Sequence, residues 1–183
     1  MTRILHEQYS KIGLQELVEK LRSECYNPLE LLCESAKKQA EKLDSLESQH
    51  ATSQYTTLCN KVIAEIRQCL STRKEIYLPY ILELAQKATT NHDCSNCSGG
   101  CKVNHDMQLV ELKASHNTIK SILYRLQMVS LPLYSETIYP DAYRVLRNHM
   151  ALIENNLTEL FFLEENYLIS KVIEAQNIIN AGS

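Results

Sequence analysis

The sequence YRVLRNHMALIENNLTELFFLEENYLISKVIEAQ, residues 143–176, decides the fold class. Apolar residues return along it at intervals of three and four, which is the spacing of one face of an α-helix. We predict a helix that begins at Pro140-Asp141 and runs to about residue 177. Its predicted inner face consists of the following residues: Val145, His149, Leu152, Ile153, Asn156, Leu157, Leu160, Phe161, Glu164, Leu168 and Val172.

Three segments upstream carry the same helical spacing of apolar residues. Asn27-Pro28 is typical of a helix start, because Asn can cap a helix and Pro suits the first helical position. Pro79 lies inside a later segment, so we expect a kink near residues 75–78. Pro132 is expected to end the last of the three. The predicted helices span residues 29 to about 49, 54 to about 90, and 106 to about 129.

Long helices joined by short connections bury their apolar faces most economically as an antiparallel four-helix bundle. We therefore predict an all-α protein, since no segment has the alternating pattern of a strand. A shorter helix over about residues 14–26 precedes the bundle. The predicted division is a helical lead-in over residues 1–26 and a bundle over residues 27–183.

Composition restricts the function classes. A chain of 183 residues fits one domain, and 44% hydrophobic with 22% charged residues is ordinary for a globular protein. The net charge of −3 gives no reason to expect nucleic-acid binding. No run is apolar enough for a membrane span, and the N-terminus lacks a hydrophobic signal region, so we expect a cytoplasmic protein. The absence of a nucleophile–base pair or phosphate-binding loop favours a protein that is not an enzyme.

The segment HDCSNCSGGCKVNH, from His92 to His105, concentrates metal-ligand side chains. Thiolate and imidazole are the preferred ligands of zinc, and thiolate is the ligand of iron–sulfur clusters. Cys94 and Cys97 form a C-x2-C pair, Cys101 can return through the glycines before it, and either histidine could complete the set. Two alternatives remain: Cys94 and Cys97 as a redox pair, or a loop of reduced thiols.

The other four cysteines are scattered singly along the predicted helices. An isolated cysteine in a helical pattern is typical of a small residue that fills the core. We expect this role for Cys25, Cys33, Cys59 and Cys69.

Three polar residues, His116, His149 and Glu164, fall on predicted apolar faces. A buried carboxylate is costly unless it is paired or bound to metal. Histidine and glutamate side chains from facing helices build iron sites in bundles, which favours a metal centre here. The alternatives are that each side chain reaches water at an end of the bundle, or that a histidine pairs with Glu164.

Three stretches carry a family resemblance: LPYILELAQKATTNH (78–92), ASHNTIKSILYRLQ (114–127) and the segment 143–176. They resemble helices of the hemerythrin-like proteins known as iron–sulfur cluster repair di-iron proteins. The resemblance implies a hemerythrin-like fold with His92, His116 and Glu164 at ligand positions. Ser71 and Leu160 stand where the family has two further ligand histidines, and its second-helix ligand pair is not recognisable. The implied di-iron site is therefore degenerate.

These observations lead to two function hypotheses. The first is a metal-binding hemerythrin-like protein in iron handling, iron–sulfur cluster repair or the response to nitrosative or oxidative stress. The second is a non-catalytic helical scaffold or interaction protein with a zinc-binding or redox-active cysteine loop. The expected cofactors are iron in the bundle and zinc or an iron–sulfur cluster in the loop. The expected partners are a metal ion and another protein, without nucleic acid or membrane.

Overall fold

The computed structural model describes residues 8–46, 50–90, 106–133 and 141–181. These ranges contain helices and no strand, which confirms the prediction of an all-α protein. The α-helices are α1 (Leu14–Lys20), α2 (Asn27–Leu46), α3 (His50–Thr72), α4 (Leu78–Thr89), α5 (Asp106–Leu133), α6 (Asp141–Leu163) and α7 (Ile169–Ala181).

Three π-helical turns join neighbouring α-helices without a break. They are the first π turn, Leu21–Tyr26, between α1 and α2; the second, Arg73–Tyr77, between α3 and α4; and the third, Glu164–Leu168, between α6 and α7. A π turn bonds each N–H to the carbonyl five residues earlier and so widens the helix locally. The described residues therefore form four long helices, which cover residues 14–46, 50–89, 106–133 and 141–181.

The predicted helix start at Asn27-Pro28 is wrong. Asn27 has helical dihedral angles, φ −65° and ψ −45°, and continues the helix rather than capping it. The apolar residues Leu17, Val18 and Leu21 upstream are completely buried in the common core. The division of the chain at residue 26 stays a prediction, but the long helix over residues 14–46 continues through that position.

Pro79 explains the second π turn. Proline lacks a backbone N–H, and in a regular α-helix its ring would clash with the carbonyl four residues earlier, that of Glu75. The π turn Arg73–Tyr77 contains that carbonyl and overlaps residues 75–78, where we expected a kink. The first π turn is followed by Pro28 in the same way, because in both cases one residue separates the end of the π turn from the proline.

The long helices pack on one another around one hydrophobic core. Helix α2 packs against α3 and α6, α3 packs against α5, and α4 packs against both α7 and α1. The four single cysteines are buried in this core as free thiols, which confirms their predicted role. No helix in the described ranges is both long and apolar enough to cross a lipid bilayer.

The predicted inner face of the fourth long helix is wrong in its first turns. Val145 is 39% exposed and Leu152 is 49% exposed. His149 is half-buried, and its Nδ1 lies 2.9 Å from the carbonyl oxygen of Val145. Both the predicted set of residues and the set that is buried have helical spacing here. Periodicity alone therefore does not show which of the two faces the core. The buried set is Ala142, Leu146, Met150, Ile153, Leu157 and Leu160.

Two leucines of α2 provide a test of this core. Leu29 is completely buried and Leu31 is 65% exposed. We expect Leu29→Ala to lower the free energy of unfolding by about 2–5 kcal/mol, because it removes buried apolar surface and leaves a cavity. Leu31→Ala should change it by less than about 0.5 kcal/mol. Urea denaturation of the two variants checks this, and equal losses would contradict the observed orientation of α2.

Candidate functional site: a buried carboxylate contacted from four helices

Glu164 is the first residue of the third π turn, and none of its surface is exposed. Each of the other three long helices places one polar side chain against its carboxylate. These side chains are Tyr26 at the end of the first π turn, Arg73 at the start of the second, and His116 in α5. One acidic group thus connects all four helices at the same level.

The carboxylate of Glu164 accepts four hydrogen bonds. Its Oε1 accepts from the Tyr26 hydroxyl at 2.7 Å and from Arg73 Nε at 2.6 Å. Its Oε2 accepts from Arg73 Nη2 at 2.9 Å and lies 2.6 Å from His116 Nε2. A carboxylate offers about four lone-pair positions, so its hydrogen-bonding capacity is filled by protein groups.

Arg73 is buried to the same degree, and all of its N–H groups have acceptors. Besides the two bonds to Glu164, Nη1 lies 3.3 Å from the carbonyl oxygen of Cys69 and also contacts the Cys69 sulfur. Nη2 lies 3.4 Å from the hydroxyl oxygen of Ser115. The planar guanidinium fork matches a carboxylate on one edge, which is the geometry of a bidentate ion pair.

The imidazole of His116 lies between two carboxylates. Its Nδ1 is 2.8 Å from Oε1 of Glu165, which also lies 3.3 Å from the Lys120 ammonium. The ring stacks on Phe161, with the ring centroids 4.0 Å apart. Each ring nitrogen therefore faces a carboxylate oxygen, which is the geometry of a histidine that bridges two carboxylates.

The electrostatic effects within the cluster follow from these contacts. Burial alone would raise the pKa of Glu164, but the Arg73 charge and the His116 and Arg73 hydrogen bonds outweigh it and lower that pKa to about 2. Burial also opposes ionisation of Glu165, yet His116 and Lys120 lower its pKa. Burial, followed by the Glu164 charge, raises the pKa of Tyr26 well above its usual value, so the phenol remains a donor.

The two expected ligands, His116 and Glu164, do not fit a metal ion in this arrangement. A ligand needs a free lone pair, and the protein already occupies those of the Glu164 carboxylate and both nitrogens of His116. The adjacent Arg73 guanidinium would also repel a cation. No group of three or more His, Cys, Asp or Glu side chains suited to a metal occurs within the described ranges.

Several predicted site residues lie outside the described residues. They are His92, Cys94, Cys97, Cys101 and His105, so zinc or cluster binding by the loop stays a prediction. The structure brings His116 and Glu164 together as a pair, which was one alternative of the sequence analysis. His149 instead bonds to the carbonyl oxygen of Val145 in its own helix, 15 residues before Glu164.

Sequence reasoning missed Tyr26 and Arg73. Arg73 lies three residues after Leu70 and four before Tyr77, on the same apolar face of the second long helix. The criterion that singled out Glu164, a charged residue at an apolar position, would have found it. Tyr26 gives no such signal, because a tyrosine at an apolar position is ordinary.

No protein-family model, curated protein or solved structure matches this chain. The assignment to the hemerythrin-like proteins therefore stays a prediction based on the quoted segments.

The ion-pair cluster has a measurable effect on stability. We expect Glu164→Ala to lower the free energy of unfolding by about 3–5 kcal/mol, because it leaves the Arg73 charge buried without its partner. Glu159→Ala, at an exposed position of the same long helix, should change it by less than about 0.5 kcal/mol. Urea denaturation measures both values. A loss at Glu164 no larger than at Glu159 would contradict the buried pairing.

Acid should remove this stabilisation. The folded-state pKa of Glu164, about 2, lies below its usual value of 4.5. The stabilisation is therefore fully present above about pH 4.5 and is lost as the pH falls toward 2, by about 3 kcal/mol in total. Unfolding free energies measured across this range should fall more steeply for the wild type than for Glu164→Gln. Identical slopes would show that Glu164 does not titrate with a lowered pKa.

Proposed function

We propose that this chain is a hemerythrin-like antiparallel four-helix bundle that acts as a non-catalytic scaffold or interaction protein. The proposal depends on one observation: the polar groups at the centre of the bundle already have hydrogen-bond partners within the chain. The four acceptor positions of Glu164 and both nitrogens of His116 are engaged by other side chains of the same chain. Such a centre stabilises the helices and has no free ligand position for a substrate or metal ion.

A crevice on the surface offers a place for contact with another protein, whereas the Glu164 cluster has no free position for a substrate. A crevice of about 280 Å³ lies between α5 and α6, and the rings of Tyr124 and Phe162 contribute to its walls. Tyr124 is 63% exposed and Phe162 is 37% exposed. Aromatic side chains at a partly open crevice are typical anchors of protein–protein contacts.

Metal or redox chemistry in this proposal belongs to the segment from His92 to His105. Its C-x2-C pair and third cysteine are the best soft-ligand set in the sequence. Zinc would act there as a structural staple, while oxidation would couple the pair to the redox state of the surroundings. Both roles leave the helical body non-catalytic.

The family resemblance favours a second candidate function. It is metal binding at His92, His116 and Glu164 in iron handling, iron–sulfur cluster repair or a stress response. For this function His116 and Glu164 would have to exchange their present partners for the metal. The bidentate bond from Arg73 makes that exchange unfavourable.

Elemental analysis of anaerobically purified protein distinguishes these functions. We expect no stoichiometric iron in the wild type, and a metal content that Glu164→Gln leaves unchanged. Any zinc should be lost in Cys97→Ala, because the thiolates are its ligands. Cys25→Ala is the matched control, since it removes a buried thiol of the helical body.

One result would overturn the scaffold proposal in favour of the second candidate. It is near-stoichiometric iron that is lost in both His116→Gln and Glu164→Gln but retained in Cys97→Ala. Circular dichroism of each variant is needed beside the metal analysis, so that loss of metal is not confused with loss of the fold.

A further inference from the structure

A second crevice, of about 300 Å³, lies between the second and third long helices. Gln68, Thr72 and Thr118 contribute polar groups to its walls. The Arg73 side chain, with 1% of its surface exposed, lines it from the protein interior. Cys69 and Ser115, two of the residues that contact the Arg73 guanidinium, also line this crevice.

The groups around the Arg73 guanidinium form a shell of acceptors. Both oxygens of Glu164 lie on one edge, the carbonyl oxygen and sulfur of Cys69 lie on another, and Ser115 Oγ completes it. This shell belongs to three different long helices. Its components would remain if the Arg73 side chain alone were removed.

We propose that this shell is a binding site for a planar guanidinium cation, which the protein fills with its own Arg73. When that side chain is shortened, a free guanidinium compound entering through the crevice takes its place. This site consists only of the side chains and backbone groups named above, and it does not depend on the function of the whole chain. A guanidinium cation in the shell balances the charge of Glu164, so no metal ion is needed for that purpose.

The chemistry of the shell favours a planar organic cation over a metal ion. It provides one carboxylate, one carbonyl, one hydroxyl and one sulfur, spread to receive several N–H groups in a plane. Burial raises the pKa of the Cys69 thiol despite the nearby Arg73 charge, and its sulfur lies against a guanidinium N–H group. His116 is held on the far side by Glu165.

The test is chemical rescue of Arg73→Ala. We expect this variant to lose about 10 °C in Tm, because the substitution leaves Glu164 buried without its main partner. Millimolar methylguanidinium chloride should restore part of the loss, and the gain should rise with the logarithm of its concentration, as expected for one site that only the folded state provides. Methylurea, which has a similar shape without charge, and sodium chloride at equal ionic strength should restore little.

Two further variants separate a specific site from general effects of the solute. Arg67→Ala removes an exposed arginine from the same long helix, so methylguanidinium should not raise its Tm. Arg73→Ala combined with Glu164→Gln removes the carboxylate of the shell and should abolish rescue. If Arg73→Ala is obtained only unfolded, the yield of refolding with each added compound is measured instead.

The proposal is overturned by any of three results. The first is absence of a Tm gain with methylguanidinium in Arg73→Ala beyond the gain with sodium chloride. The second is an equal gain with methylurea, which would mean that filled volume and not charge matters. The third is tight, stoichiometric binding of zinc by Arg73→Ala that is lost on adding Glu164→Gln, which would identify a metal site.

Discussion

The buried carboxylate of Glu164 imposes the main constraint on this structure. Moving an ionised carboxylate out of water costs several kcal/mol unless hydrogen bonds and opposite charges replace the lost solvation. The replacement comes from Tyr26, Arg73 and His116, one from each of the other long helices. The helices must therefore be aligned lengthwise so that these three side chains reach the same point.

The π turns are the local means of that alignment. Each of the three ends or begins at a residue of the cluster: Tyr26 is the last residue of the first, and Arg73 and Glu164 are the first residues of the other two. A π turn adds a residue to the helical repeat and so redirects the side chains beside it. Two of the three precede a proline in a Tyr-x-Pro sequence, at Pro28 and Pro79.

The sequence predicted the helical class and part of the cluster. Apolar spacing of three and four residues was sufficient for the helices, and charge on an apolar face singled out His116 and Glu164. The same spacing failed at His149, because two overlapping apolar stripes occur in α6 and only packing selects one. The pairing of Arg73 with Glu164 depends on which helices are neighbours, and local periodicity holds no information about that.

The contacts of Glu164 also bear on how the chain folds. Its partners His116, Arg73 and Tyr26 are 48, 91 and 138 residues away in sequence. A folding intermediate that lacks any one long helix would have to leave a charged group either hydrated or buried without its full set of partners. Partly assembled helices are thus penalised, which favours all-or-none unfolding. The full set of hydrogen bonds to Glu164 forms only when all four long helices are packed together.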